Sequence, residues 1–299
     1  MAEVLRDIDA EAELQNALNR GDRVWVIGDV HGHSDALENL ITELDPNPGD
    51  RIVLMGDLID RGPDSRMVIR IAKERADTFV IRGNHEDWAL NGIEQNGTKT
   101  WAPSLDWLMA GGKQCLDSYS NSDSELNTED WSRDLEWMMS MPHCLILDDW
   151  VLVHAGLEPS VPLESQTPRQ MMWIRDEFHD ATEPVDPNRA VVFGHSITMW
   201  FSGKKSARSP RVKETRRRAT FVVWHRTGAC DSKSGWLTAM DLGSGELVQA
   251  KETVRVDGWL PYSNKCHVPK LEDEFTTQFI KGIEKTLTKA NAPNFSCRQ

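Results

Sequence analysis

Five short stretches of this 299-residue chain end in side chains able to bind metal: Asp29 and His31, Asp57, Asn84 and His85, His154, and His195. Carboxylate and imidazole suit manganese, iron and zinc, and thiolate is absent from the set. Two carboxylates, one amide and three imidazoles, with His85 left over, exceed the needs of one ion. They fit two divalent metals sharing one carboxylate. Such a pair stays net positive, attracts a phosphate group, and acidifies a bridging water until hydroxide forms near neutral pH. A lone histidine at a strand end is ordinarily structural. Five such ends in one chain are a joint signal.

The elements that must position these groups follow from periodicity. Val24–Ile27, Ile52–Met55 and Phe79–Ile81 are apolar runs of buried-strand type, each running into one of the clusters. A helix capped by Ser34, with apolar positions Leu37, Leu40, Ile41 and Leu44, separates the first two, and a helix from Asp64 to Arg75 separates the next. The order β-α-β-α-β predicts a right-handed, mostly parallel arrangement with ligands beyond the carboxyl ends of the strands. Trp150–Val153 runs into His154 and Ala190–Phe193 into His195, adding two more units to the same crevice. Residues 3–20 predict a helix lying on the domain, and 86–141 read as mainly helical with a mobile polar loop at Ser118–Thr128. Thr220–Trp224, Trp236–Leu242 and Glu246–Ala250 read as later strands, the last two a hairpin, and Glu272–Lys289 as a helix. We divide the chain into an N-terminal helical segment (1–22), a catalytic domain (23–260) and a C-terminal helical tail (261–299).

Composition narrows the class. With 34 Lys and Arg against 47 Asp and Glu, the net charge of −13 argues against a stable nucleic-acid partner or an anionic membrane surface. No apolar run approaches the roughly 20 residues of a spanning helix, and the acidic start lacks a signal peptide's pattern. Five cysteines, odd in number and without a CxxC pair, predict reduced packing thiols and a cytoplasmic location. Twelve Trp against two Tyr are read as packing residues.

Gly28-Asp29-Val30-His31-Gly32, Gly56-Asp57-Leu58-Ile59-Asp60-Arg61-Gly62 and Gly83-Asn84-His85-Glu86 resemble the three signature motifs of the metal-dependent phosphoprotein phosphatase family. His154-Ala155-Gly156-Leu157-Glu158-Pro159, Trp173-Ile174-Arg175 and Gly194-His195-Ser196 are similar to later motifs of its bacterial and archaeal branch, and the likeness runs in order over about residues 23 to 250. The resemblance implies an α/β fold, a calcineurin-like αββα sandwich with mixed sheets and a dinuclear metal site at the strand ends. It implies that Asp29, His31 and Asp57 hold the first metal and that Asp57 bridges to a second held by Asn84, His154 and His195. Arg61 and Arg175 would grip phosphate through paired guanidinium hydrogen bonds. His85, oriented by Asp60, would give a proton to the leaving group. Two divalent ions are implied, with manganese expected and iron or zinc as alternatives. The implied reaction is one in-line attack by the metal-bridging hydroxide, with no covalent phosphoenzyme.

The expected substrates are phosphoserine and phosphothreonine in proteins or peptides, with phosphotyrosine a further candidate. The alternative is a symmetrical diadenosine tetraphosphate hydrolase, a nucleotide enzyme of the same superfamily. Those hydrolases tend to carry Ala in place of Asp60 and Asp in place of Glu86, so both side chains favour a protein phosphatase. A non-catalytic scaffold finds no support, since every implied ligand and both arginines are present. A nuclease or phosphodiesterase is disfavoured because Arg61 suits a terminal phosphate dianion. The branch's Asp-Thr-Gly-Ala-like segment reads here as His225-Arg226-Thr227-Gly228-Ala229, placing a cation where a carboxylate is usual. His33, beside the first motif, reads as a capping or exposed residue, with contact to substrate as the alternative. Lys204–Arg218 carries eight basic residues against one acidic, Glu214, and reads either as a solvated loop or as a flap attracting acidic substrates.

Overall fold

The computed structural model describes residues 3–92, 103–183, 185–186, 188–196 and 236–251. The expectations for Lys204–Arg218, Thr220–Trp224, His225–Ala229, the C-terminal tail, and Cys230, Cys266 and Cys297 lie outside the described residues. Cys115 and Cys144 are buried free thiols.

Alternation within the strands builds two sheets back to back. Strands β1 (Val24–Ile27), β2 (Arg51–Leu54) and β3 (Thr78–Val80) run parallel, and β7 (Leu237–Asp241) and β8 (Leu247–Ala250) extend the sheet antiparallel, in the order β3-β2-β1-β7-β8. The second sheet is β4 (Cys144–Ile146), β5 (Trp150–Val153) and β6 (Ala190–Val192), with β4 antiparallel and β6 parallel to β5. Val24, Val26 and Val53 face Leu145, Leu152 and Val192 in the core between the sheets. Their neighbours Trp25, Ile27, Ile52 and Leu54 point the other way, onto helices α2 (Ser34–Leu44) and α3 (Ser65–Glu74). Period 2 thus gives β1 and β2 two apolar faces, and both are covered.

Helices α4 (Asn84–Leu90), α5 (Leu105–Trp107), α6 (Lys113–Ser118) and α7 (Thr128–Ser140) follow β3, with a kink at Gly111, φ +124°, in the segment Leu108–Gly112 between α5 and α6. Trp107, Cys115, Tyr119, Trp131 and Leu135 from this stretch join the core on the α2–α3 side. Beyond the small sheet, α8 (Pro168–Trp173) and α9 (Asp176–His179) pack Met171 and Phe178 against Val151, Val153 and Phe193. The layers are therefore α/β/β/α, as the resemblance implied.

Three local expectations change. Helix α1 (Ile8–Arg20) does more than lie on the surface: Ala10, Leu14 and Ala17 enter the core between the sheets. Ser34 is the first helical residue of α2, not its cap; His33 holds the N-cap position and its side chain makes no cap bond. The Ser118–Thr128 segment is a tied turn. Asn121 Oδ1 accepts the amides of Asp123 and Glu125, both at 2.9 Å, and Ser120 bridges Leu126. Strand β4 is not among the predicted strands.

Candidate functional site

The polar clusters do converge, but from both sheets. The turns after β1, β2 and β3 meet those after β5 and β6 in the crevice between them. Backbone bonds zip the turns together: His31 N–H donates to Asp57 O at 2.8 Å, and Gly194 N–H to His154 O at 2.8 Å. Gly56 has φ +85°, and a Cβ there would lie 2.5 Å from the amide nitrogen of Gly83, so the second and third motifs touch backbone to backbone. Eight described non-glycine residues have positive φ, and five of them, His31, Asp57, Asp60, Arg61 and His195, belong to the predicted site. Left-handed backbone is costly for such residues and persists where surrounding structure enforces it.

Asp57 lies at the centre. Its Oδ2 is 3.6 Å from His31 Nε2 and its Oδ1 is 3.4 Å from His154 Nε2, so its two oxygens face two different groups. Two trios of buried side chains have ligand atoms close enough to share an ion, His31–Asp57–His85 and Asp57–His154–His195, and Asp57 belongs to both. Asn84 joins the second, its Oδ1 lying 2.9 Å from His154 Nε2 and 2.8 Å from His195 Nδ1. Asp29 borders the crevice and accepts the amide of His195 on Oδ1 at 3.2 Å. It belongs to neither trio; His85 stands in the first trio instead.

The imidazoles are oriented by backbone. His31 Nδ1 lies 3.0 Å from Ile59 O and His154 Nδ1 2.7 Å from Met55 O, which turns each Nε2 into the crevice. This is how a protein fixes the tautomer of a metal-binding histidine. The buried His195 Nε2 has no hydrogen-bond partner among the described residues. The guanidinium of Arg61 donates to His31 Nε2 at 2.7 Å and to His85 Nε2 at 2.8 Å, so a cation already sits against two imidazole lone pairs. Buried oxygens, inward lone pairs and an orphaned imidazole nitrogen fit a pair of divalent cations.

Electrostatics agree with that convergence. Burial alone would raise the Asp57 carboxyl, but His154, His85 and His31 outweigh it and hold it well below the usual range. Burial lowers His154, and the charge of Asp57 overcomes it, raising the imidazole to about 9. Burial drives both His31 and His195 well below the ordinary histidine value.

His85 forms a second arrangement. Its Nδ1 donates to Asp60 Oδ2 at 2.5 Å, within a pair almost wholly shut off from solvent. Burial raises Asp60, opposed by its bonds from His85 and Trp107; burial lowers His85, outweighed by the charges of Asp57 and Asp60. Arg175 reaches the crevice edge, where its Nη1 donates to Ser196 Oγ at 3.4 Å, next to His195. Arg61 is exposed, so its guanidinium stands at the mouth of the crevice beside the imidazoles.

Two contributors carried no sequence signal of their role. In the sequence Glu86 stands only as the last letter of the third motif. It is fully buried, and its two oxygens accept the amides of Asp57, Leu58, Ile59 and Gly83 at 2.8 to 3.3 Å. Burial, then the charge of Asp57, push it up to about 7. Trp107 was one of many tryptophans read as packing, and its indole donates to Asp60.

Among known proteins, the chain is 42% identical over 91 residues to serine/threonine-protein phosphatase 1 of Salmonella typhimurium strain LT2, covering 30% of this chain and 38% of that one. It is 29% identical over 137 residues to a symmetrical bis(5'-nucleosyl)-tetraphosphatase of Dechloromonas aromatica strain RCB, covering 45% of this chain and 44% of that one. The chain thus spans less than half the length of these curated relatives. A crystal structure of a protein provisionally assigned as a diadenosine tetraphosphatase shares the fold at a TM-score of 0.50 and 21% identity, over 77% of this chain and 93% of that one. Residues 22–237 match the calcineurin-like phosphoesterase family, a span holding all five strand ends of the crevice, and the chain belongs to that family.

Proposed function

We infer that this protein is a metal-dependent phosphomonoesterase acting on phosphoserine and phosphothreonine in proteins or peptides. The observation that carries the reading is the buried His85–Asp60 pair, with Nδ1 and Oδ2 2.5 Å apart. A seryl or threonyl oxygen leaves phosphorus as a strongly basic alkoxide and needs a proton as the bond breaks. A nucleotide leaving through its phosphate is a stable anion and needs none. A histidine held by a buried carboxylate is therefore machinery for the first class.

Asp29, His31 and Asp57 would hold one divalent ion, and Asp57, Asn84, His154 and His195 the other. Bound there, the two ions would acidify a water to hydroxide near neutral pH and offset charge on the phosphate oxygens. Imidazole, amide and carboxylate accept manganese, iron or zinc, and manganese is the metal we would supply first. Arg61 and Arg175 would bind the phosphate oxygens, Arg61 after leaving the imidazoles. His85 would hold its transferable proton on Nε2, while Nδ1–H stays on Asp60. No described helix is long and apolar enough to cross a membrane. We take the protein to work in the cytoplasm, with residues 23–260 as the catalytic domain between the segments 1–22 and 261–299.

The symmetrical dinucleoside tetraphosphatase reading is kept because a relative of that name aligns over the longer stretch. Turnover of a phosphoserine peptide and of diadenosine tetraphosphate, each with Mn²⁺, separates the two. The phosphopeptide should be preferred clearly; preference for the dinucleotide overturns the assignment.

A further inference from the structure

The carboxylate behind His85 has a third partner that belongs to none of the motifs. Trp107 Nε1–H donates to Asp60 Oδ2 at 2.8 Å, on the same oxygen that receives the His85 Nδ1 proton. The other oxygen, Oδ1, is buried and has no partner among the described residues. Asp60 is otherwise tied through its backbone, its N–H donating to Ser65 Oγ at 3.0 Å. The terminal torsion of an aspartate is soft and nearly two-fold, so a carboxylate held by a single donor selects its rotamer weakly. Two donors converging on one oxygen fix which face it presents.

The indole is itself held rigidly. Trp107 is fully buried and stacks on Trp131, the ring centroids 6.1 Å apart and the planes 22° apart. Gly112 presses its backbone onto the ring, and any Cβ there would overlap the indole. The same kinked segment, Leu108–Gly112, also accepts the Arg61 amide on Gly111 O at 3.1 Å. The segment thus touches both the phosphate-binding arginine and, through Gly112, the indole behind Asp60.

We propose that Trp107 is a positioning residue for proton delivery: its indole N–H fixes the Asp60 oxygen on which His85 hangs, and so aims His85 Nε2 at the leaving group. The proposal rests on the reading of His85 as proton donor. In that step the oxygen of the attacking water bonds to phosphorus as the bond from phosphorus to the seryl oxygen breaks, with that bond's electron pair left on the seryl oxygen. The proton on His85 Nε2 passes to that oxygen, and the proton on Nδ1 stays shared with Asp60.

Trp107→Phe keeps an aromatic ring and removes the N–H. It is to be compared with the parent and with His85→Asn on a phosphoserine peptide, whose leaving group needs a proton, and on p-nitrophenyl phosphate, whose leaving group is stable as an anion. All proteins carry Mn²⁺, and metal content and melting temperature are measured alongside. In Trp107→Phe, kcat for the peptide should fall about tenfold or more, with KM and kcat for the aryl ester within about twofold. Equal losses on both substrates, or none on either, overturn the positioning role. If the Phe variant does not fold, Trp107→benzothienylalanine keeps the bicyclic ring with sulfur in place of N–H, and the same outcomes decide. Leaving-group selectivity in His85→Asn but not in the position-107 variant removes Trp107 alone. Absence of selectivity in His85→Asn removes the proton-donor reading, and the proposal with it.

Discussion

The Glu86 carboxylate accepts the amide proton of Asp57 at 2.8 Å on the same oxygen that takes the Gly83 amide at 2.9 Å. One buried side chain thereby staples the second motif to the third. Its other oxygen takes Leu58 and Ile59, so the turn carrying the central carboxylate hangs from α4.

Replacing that staple should be costly. Glu86→Gln puts an amide NH₂ against two backbone donors and leaves them unpaired, a loss of about 2–5 kcal/mol. Glu86→Asp keeps the charge but is one methylene short, and should fall between the two. Urea unfolding measures the stability and calorimetric titration with Mn²⁺ the affinity, which should drop in the same order. A Glu86→Gln protein as stable as the parent would refute the staple.

Gly83 is constrained by sterics alone. A Cβ there would overlap both the amide nitrogen and Oδ1 of Asp57, and neither can retreat without moving the turn. Gly83→Ala should cost about 1–3 kcal/mol and, by displacing Asp57, weaken metal binding more than its stability loss implies. Gly21, with nothing within 4 Å of its Cβ direction but a φ of +81°, is the control: Gly21→Ala should cost stability and leave metal binding intact.

His85→Asn and Asp57→Asn distinguish two ways of sharing the first trio. With Asp29, His31 and Asp57 as ligands, His85→Asn should lose at least about a hundredfold in kcat on a phosphoserine peptide while keeping two metals per chain. Asp57→Asn should lose both activity and metal. Elemental analysis after desalting gives the stoichiometry. A metal missing from His85→Asn would make His85 a ligand, as its 4.0 Å distance to Asp57 Oδ2 geometrically permits.

Away from the crevice, His143 sets an acid limit. Its Nδ1 accepts the amide of Leu5 at 2.8 Å, and burial, with the charge of Arg82 second, lowers it to about 4. Between pH 6.5 and about 4 the unfolded chain takes up a proton here that the folded protein refuses. Stability should therefore fall as pH drops through that window and level off below it, by at most about 3 kcal/mol. His143→Gln cannot ionise, so its urea-unfolding free energy should depend less on pH between 7 and 4. Parallel pH curves for parent and variant would show that His143 does not set the limit.

Much of this architecture was legible along the chain. Val24–Ile27 announces a strand by four apolar residues in a row, α2 a helix by Leu37, Leu40 and Leu44, and each strand stops at residues whose chemistry speaks for itself. Periods of 2 and 3.6 are local properties, and ligand type is a property of single side chains, so the sequence alone determined the α/β class and the carboxylate, amide and imidazole groups at the strand ends. Tertiary structure decided what depends on residues far apart. Asn84 meets His154 and His195 across 70 and 111 positions, joining groups that two different sheets carry. Arg61 lies on the imidazoles, Glu86 carries the turn of Asp57, and Trp107 leaves the role of packing residue to grip Asp60. No local pattern marks these contacts, because a hydrogen bond between buried groups depends on how whole layers dock, and docking is settled only when the apolar faces of both sheets are buried together.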